Sequence, residues 1–302
     1  MKQFLTILVL VCSAWPQAGG EPHPAAAQAS QSVSPPLASQ AANPAPGAAA
    51  PAASTQAVSE DEKNARKAKA VVDQGIQALG GQAWLTLRDR EQQGRIYGFH
   101  HGRPGGGGVF WGFTEFPDKE RLELTKERDI AELYIGNKGY ELTYKGAHPL
   151  DKKDLEDYMR RRKFSLETVL RTWVNDPSVV LLFEGFAIAA QHPAQQVTLI
   201  NAENESVTLY FDNDTHLPVK KSFLWRDPVD KQKNLEEEVY ENYRAVSNIM
   251  APYNVTRFFN GDMASQRFLN SVTVNQGLDE TMFDPNSGYD PNKPPGKQTS
   301  KR

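Results

Sequence analysis

The strongest constraint in this sequence is the length of the links between its β-rich runs. Leu133-Tyr134-Ile135 and Tyr140-Glu141-Leu142-Thr143-Tyr144 flank Gly136-Asn137-Lys138-Gly139, the tight Gly/Asn spacing of a hairpin. Val197-Thr198-Leu199 and Val207-Thr208-Leu209-Tyr210-Phe211 flank the polar stretch Ala202-Glu203-Asn204-Glu205. Asp212-Asn213-Asp214 then precedes the run at 219–225, and Asn260-Gly261-Asp262 separates 255–259 from 267–274. Parallel neighbours need a crossover of roughly a dozen residues or more, so links this short join antiparallel strands. The chain predicts a meander.

Helical periodicity appears in two places. Ser59-x-x-Glu62 has capping-box spacing, and Ala65, Ala68, Val72, Ile76 and Leu79 follow at three- and four-residue steps before Gly80-Gly81, which predicts one amphipathic helix over 60–79. Leu155, Tyr158 and Met159 mark a second helix within 151–163. Leu166, Val169, Leu170 and Trp173 mark a third, ended by Asn175-Asp176-Pro177. The fold class is therefore α+β, with helices gathered on one face of a curved antiparallel sheet.

The strands carry more apolar surface than one face needs. In Val109-Phe110-Trp111-Gly112-Phe113-Thr114-Glu115-Phe116, alternation puts Val109, Trp111 and Phe113 on one side and Phe110 and Phe116 on the other. Phe223-Leu224-Trp225 and Phe258-Phe259 repeat the surplus. Such a strand is core on both sides, or one side lines a pocket for an apolar ligand. On the second reading Trp111, Phe113, Leu209, Phe211, Phe223 and Trp225 are the candidate lining residues. A register slip of one residue would invert these faces.

Flanking sequence sets the domain plan. Lys2 and the apolar run 4–11 read as a signal peptide over 1–20, cleaved near Glu21, so the mature chain is expected to be exported. The only cysteine, Cys12, follows Val11, where a lipidation signal wants a small residue, so a lipid tether there is not expected. A single cysteine also excludes an internal disulfide and a cysteine-built zinc site. The apolar run is about nine residues, below the roughly 20 of a membrane helix. Residues 21–58 are nearly all Ala, Pro, Gln, Ser and Gly and predict a disordered linker; 59–285 is the folded domain and 286–302 a loose tail.

Charge and motifs exclude several classes. With 34 basic against 37 acidic residues and a net charge of -3, no cationic field draws the chain to nucleic acid. Arg160-Arg161-Arg162-Lys163 is the one concentrated basic run. It reads either as favourable charge at a helix C-terminus or as a contact for anionic headgroups or an acidic partner, which would allow peripheral contact with a membrane. Gly105-Gly106-Gly107-Gly108 lacks the Gly-Lys-Ser/Thr ending of a phosphate loop. His100-His101 point to opposite faces of a strand, so no metal is expected. Neither a Gly-x-Ser-x-Gly elbow nor a triad context for histidine is present, and Glu236-Glu237-Glu238 reads as an exposed edge. No cofactor and no catalysis are expected.

Several phrases together resemble the LolA-like superfamily of bacterial outer-membrane lipoprotein-sorting proteins, above all its larger exported members. They are Ala78-Leu79-Gly80-Gly81 with Trp84-Leu85, Phe116-Pro117-Asp118-Lys119-Glu120-Arg121-Leu122-Glu123, Tyr134-Ile135-Gly136-Asn137-Lys138-Gly139-Tyr140, Asp214-Thr215-His216-Leu217-Pro218-Val219-Lys220-Lys221 and Tyr240-Glu241-Asn242-Tyr243-Arg244. The resemblance implies a half-barrel of about eleven strands closed by helices on its concave side. It also implies an apolar concavity that holds the acyl chain of a lipid or lipoprotein. Phe116 stands where the family's periplasmic carrier has an arginine. An envelope protein-interaction or stress-sensor module on the same half-barrel is the alternative, and a secreted hydrolase a remote one.

Overall fold

A computed structural model describes residues 59–287 and 290. The signal segment, the linker and all but residues 286, 287 and 290 of the tail lie outside the described residues. In chain order the elements are α1 (Glu60–Leu79), α2 (Gln82–Leu85), β1 (Asp89–His100), β2 (Arg103–Glu115), β3 (Lys119–Glu123), β4 (Ala131–Ile135), β5 (Lys138–Thr143), β6 (Gly146–Pro149), α3 (Lys152–Lys163) and α4 (Leu166–Arg171). The second half holds β7 (Val180–Ala189), β8 (His192–Ile200), β9 (Ser206–Asp212), β10 (Pro218–Arg226), β11 (Lys233–Val246), β12 (Ile249–Phe259) and β13 (Asp262–Val274). Short 3-10 turns follow α4 and β13, at Trp173–Asn175 and Glu280–Phe283.

All 13 strands form one curved, unclosed antiparallel sheet in the order β6-β5-β4-β3-β2-β1-β13-β12-β11-β10-β9-β8-β7. It is two meanders, β1 to β6 and β7 to β13, stitched by pairing of β1 with β13. This is two strands more than the resemblance implied. The four residues of β6, Gly-Ala-His-Pro, have no apolar alternation to announce a strand.

The concave face carries the main core. α1 begins where Ser59 Oγ accepts the Glu62 N–H at 3.1 Å and ends at Gly80, whose φ of 126° is open to glycine. Its buried stripe, Ala68, Val71, Val72, Ile76 and Leu79, lies on Val197, Leu199, Val207, Leu209 and Phe211 of β8 and β9. The Phe211 ring packs so tightly against α1 that a Cβ on Gly75 would stand 2.2 Å from it. Asn64 turns from α1 to the edge strand β7. Its carboxamide accepts the Phe183 N–H at 2.8 Å and donates to the Phe183 carbonyl at 2.9 Å.

The convex face has a second, smaller core. Register places Phe113 beside Arg121 and, through it, Leu133, while Trp111 lies beside Glu123. The segment 278–283 crosses this surface, burying Met282 and Phe283 against Phe113 and Leu133. Glu123, fully buried there, holds Arg121 at 2.8 Å and Arg128 at 2.5 Å.

Candidate functional site

Helices cover the concave face unequally. α4 is bolted down: Arg90 of β1 pairs with Glu167 at 2.7 Å, and Arg171 donates to the carbonyls of Leu85 and Leu87 at 2.9 and 2.7 Å. Both arginines also face the ring of Phe116, 5.4 and 4.8 Å from its centroid. Burial opposes charge on Glu167, yet Arg90 holds its carboxyl below the ordinary range. Leu166, Val169 and Leu170 of α4, with Trp173 behind them, are buried.

By contrast α3 buries none of its residues. It is fastened at two separated places, both largely polar. On one side Tyr158 stacks on Tyr134 of β4, with centroids 3.4 Å apart and planes 8° from parallel, and its hydroxyl donates to Glu120 at 2.7 Å. Nearby, Arg162 donates to the carbonyls of Asp118 and Gly136 at 3.2 and 2.7 Å. On the other side Arg160 pairs with Glu236 of β11 at 3.1 Å and lies 3.5 Å from the Trp225 ring centroid of β10. In the strand order, β2, β1, β13 and β12 lie between these anchorages. α3 is thus a strap across the concavity.

The floor between the anchorages is not sealed. Ile96, Leu122, Leu124 and Val255 are half-buried at the margin of the main core, and Arg257 and Arg267 are half-buried among them. Paired residues share a face, so the register sets Lys221, Glu238 and Arg257 in one row, and Tyr240, Val255, Arg267 and Ile96 in the next. Glu238 receives Lys221 Nζ at 2.9 Å and the Tyr240 hydroxyl at 2.6 Å. Burial works against its charge, but Lys221, Tyr240 and Arg267 overcome this and hold the carboxyl down to about 2. Glu132, on the same face of β4, is pushed up by burial despite the Tyr134 hydroxyl and Arg161.

The structure divides the six candidate lining residues. Leu209, Phe211 and Phe223 are on the concave face but fully covered: the first two lie under α1, and Phe223 is stacked on Phe164 with centroids 4.3 Å apart. Trp225 stands at the edge of that cover beneath Arg160, and among the described residues its buried indole N–H has no partner. Trp111 and Phe113 are on the convex face, with Arg128 5.2 and 5.6 Å from their ring centroids. The basic run also divides. Arg160 and Arg162 fasten the strap, Lys163 pairs with Glu205 of the β8–β9 link, and Arg161 faces the floor near Glu132 and Arg257. Arg257 and Arg267 were not singled out by sequence. Their signal was a charged residue in an inward row of apolar partners, Val255-x-Arg257-x-Phe259.

Fold comparison follows from this architecture. The DUF1329 family protein of Desulfovibrio piger is similar with a TM-score of 0.52 at 9% identity, covering 73% of this chain and 97% of that one. A putative outer-membrane lipoprotein-sorting protein domain from Vibrio parahaemolyticus is similar with a TM-score of 0.51 at 11% identity, covering 74% and 98%. The fold is LolA-like. A LolA superfamily protein of Nitrosomonas europaea is similar at a TM-score of 0.45 and 12% identity, over 72% of this chain and 97% of that chain. No protein-family model and no curated protein matches the sequence. Within the LolA-like fold of this chain, no group of three or more His, Cys, Asp or Glu side chains among the described residues is placed to hold a metal.

The polar fastening of α3 has a measurable consequence. Tyr158→Ala removes a ring stack and a hydrogen bond, together worth about 2 kcal/mol. Amide exchange across α3 is expected to accelerate on the order of 10-fold or more, with α1 protected as before. Equal acceleration in both helices would contradict a strap held separately from the core.

Proposed function

We propose that the protein is a periplasmic carrier that shelters an acyl chain, of a lipid or of a lipoprotein, on the concave face beneath α3. The observation that carries this reading is the pairing of an unsealed floor, lined by Ile96, Leu122, Leu124 and Val255, with a bridging helix that buries none of its own residues. An apolar guest can replace water there without dismantling the core under α1 and α4. Covering about ten methylenes contributes roughly 8 kcal/mol before ordering costs, more than the polar contacts at either end of α3 resist. The lipoprotein-sorting name of the Vibrio relative agrees with this use, and sorting of lipoproteins to the outer membrane is the role we infer. No covalent step and no cofactor belong to it.

Mass spectrometry of organic extracts from gently purified protein is expected to show a stoichiometric acyl lipid, and a fluorescent fatty acid is expected to bind saturably and be displaced by that lipid. Protein that carries no lipid and binds no fatty acid would overturn the reading.

A second reading rests on the opposite face. A broad recess of about 660 Å³ opens there, lined by Tyr97, Phe99, Pro104 and Phe268 with Gly106 and Gly107. It suits a polypeptide contact with an envelope protein. Crosslinking in intact cells that captures one stoichiometric protein through these residues, from lipid-free material, would favour it.

A further inference from the structure

Beneath the strap, three arginines converge on the concave floor without a partner of their own. Arg257 pairs in register with Ser265 and Arg267 with Val255, which makes the two arginines diagonal neighbours, roughly 7–8 Å apart at the backbone. Arg161 approaches from α3 above. The acids next to them are engaged elsewhere: Glu236 by Arg160, Glu238 by Lys221 and Tyr240, and Glu132, beside Arg161, by the Tyr134 hydroxyl. None of Arg161, Arg257 and Arg267 has a hydrogen bond or ion pair among the described residues. All three are half-buried, so their guanidinium groups still meet water, and gathered together without an anion they repel one another. Apolar Ile96 and Val255 lie directly beside Arg267 in the same row.

We propose that Arg161, Arg257 and Arg267 form the seat for one oxyanion, the phosphate or carboxylate head of the acyl ligand, whose chain then runs over Ile96 and Val255. This rests on the carrier reading and names the ligand class: an anionic lipid rather than a neutral one. Charge crowding supports it. Burial first, and then Arg161 and Arg267, draw the Arg257 guanidinium down to about 10 against the opposing pull of Glu236 and Glu238, so a negative charge added beside it would be stabilising. Guanidinium forks match carboxylate and phosphate oxygens in pairs, so a bound head removes the crowding.

The test compares three probes on the full chain by competition and calorimetry: palmitate, its uncharged alcohol hexadecanol, and inorganic phosphate. Wild-type protein is expected to prefer palmitate over hexadecanol by about tenfold or more. Arg257→Met and Arg267→Met are expected to abolish that preference, weakening palmitate relative to hexadecanol by the same factor. Arg257→Met is also expected to melt no lower than wild type, since it relieves repulsion, so lost preference cannot be ascribed to misfolding. Equal binding of the two acyl probes, or a preference that survives both substitutions, overturns the seat while the carrier reading stands. Failure of both acyl probes to bind overturns the carrier reading. Arginine-dependent binding of phosphate alone in that case upholds the seat and assigns it to a free anion.

Discussion

Glu238→Leu is expected to destabilise the protein by about 3–5 kcal/mol at neutral pH, because it strands a buried cation. Lys221 is only 1% exposed and Glu238 is its partner. The two lie side by side on β10 and β11, facing the core beneath the helices. Depression of the Glu238 carboxyl from 4.5 to about 2 corresponds to roughly 3 kcal/mol by linkage. The sign is that of an acid whose folded value lies below its unfolded one. Its contribution is complete above the unfolded value, declines as the pH falls from there, and is lost once the pH drops below about 2. Denaturant titrations of wild type and Glu238→Leu should therefore converge as the pH falls through that window. The double variant Lys221→Met/Glu238→Leu, which removes both charges, should recover most of the loss. A Glu238→Leu cost below about 1 kcal/mol, or one that ignores pH, would mean that the pair is not what holds this part of the floor.

The second large effect joins a helix to the sheet. Phe211→Ala is expected to cost about 3–5 kcal/mol, the loss of a fully buried aromatic side chain together with the cavity it leaves. The informative comparison is Gly75→Ala in two backgrounds. In wild type the new methyl would meet the Phe211 ring at 2.2 Å, in a core with no slack to move it, so overpacking of about 1–3 kcal/mol outweighs the roughly 1 kcal/mol that alanine gains over glycine in a helix. In Phe211→Ala the obstruction is gone, and Gly75→Ala is expected to stabilise by about 1 kcal/mol. The same substitution thus changes sign with its neighbour, a coupling that thermal melts of the four proteins would measure. Additive effects would mean that α1 does not press on β9 at this point.

Much of this architecture was legible because local and tertiary preferences agree. The 60–79 helix follows from Ser59, its apolar stripe and Gly80, and every tight link named in the sequence joins antiparallel neighbours. The choice of face was not legible where both faces are apolar. Strand 109–116 could present Trp111 and Phe113 inward or outward by the same alternation, and what decides is the return of 278–283 over the convex side, a contact far apart in sequence. The basic run was visible as charge, but only the course of α3 separates Arg160 and Arg162, which fasten it, from Arg161, which faces the floor. Glu236 and Glu238 read as an exposed edge, yet the register turns both inward, Glu236 to Arg160 of α3 and Glu238 to the buried Lys221. The spacing of a charged row in a strand indicates that its members share a side, not whether that side is wet.

The bond between Asn64 and Phe183 bears on how such a sheet survives in a crowded compartment. An open sheet has two end strands, and any extended chain of suitable length can in principle add itself to one of them and begin a stack. At Phe183 the two main-chain groups that a newcomer would need are already taken by a side-chain amide, and the ladder slips out of step between Phe183 and Gly185. A foreign strand therefore meets an occupied socket followed by an irregular backbone, and the exposed Phe186 and Ile188 beyond it cannot be recruited in a continuous run from that point.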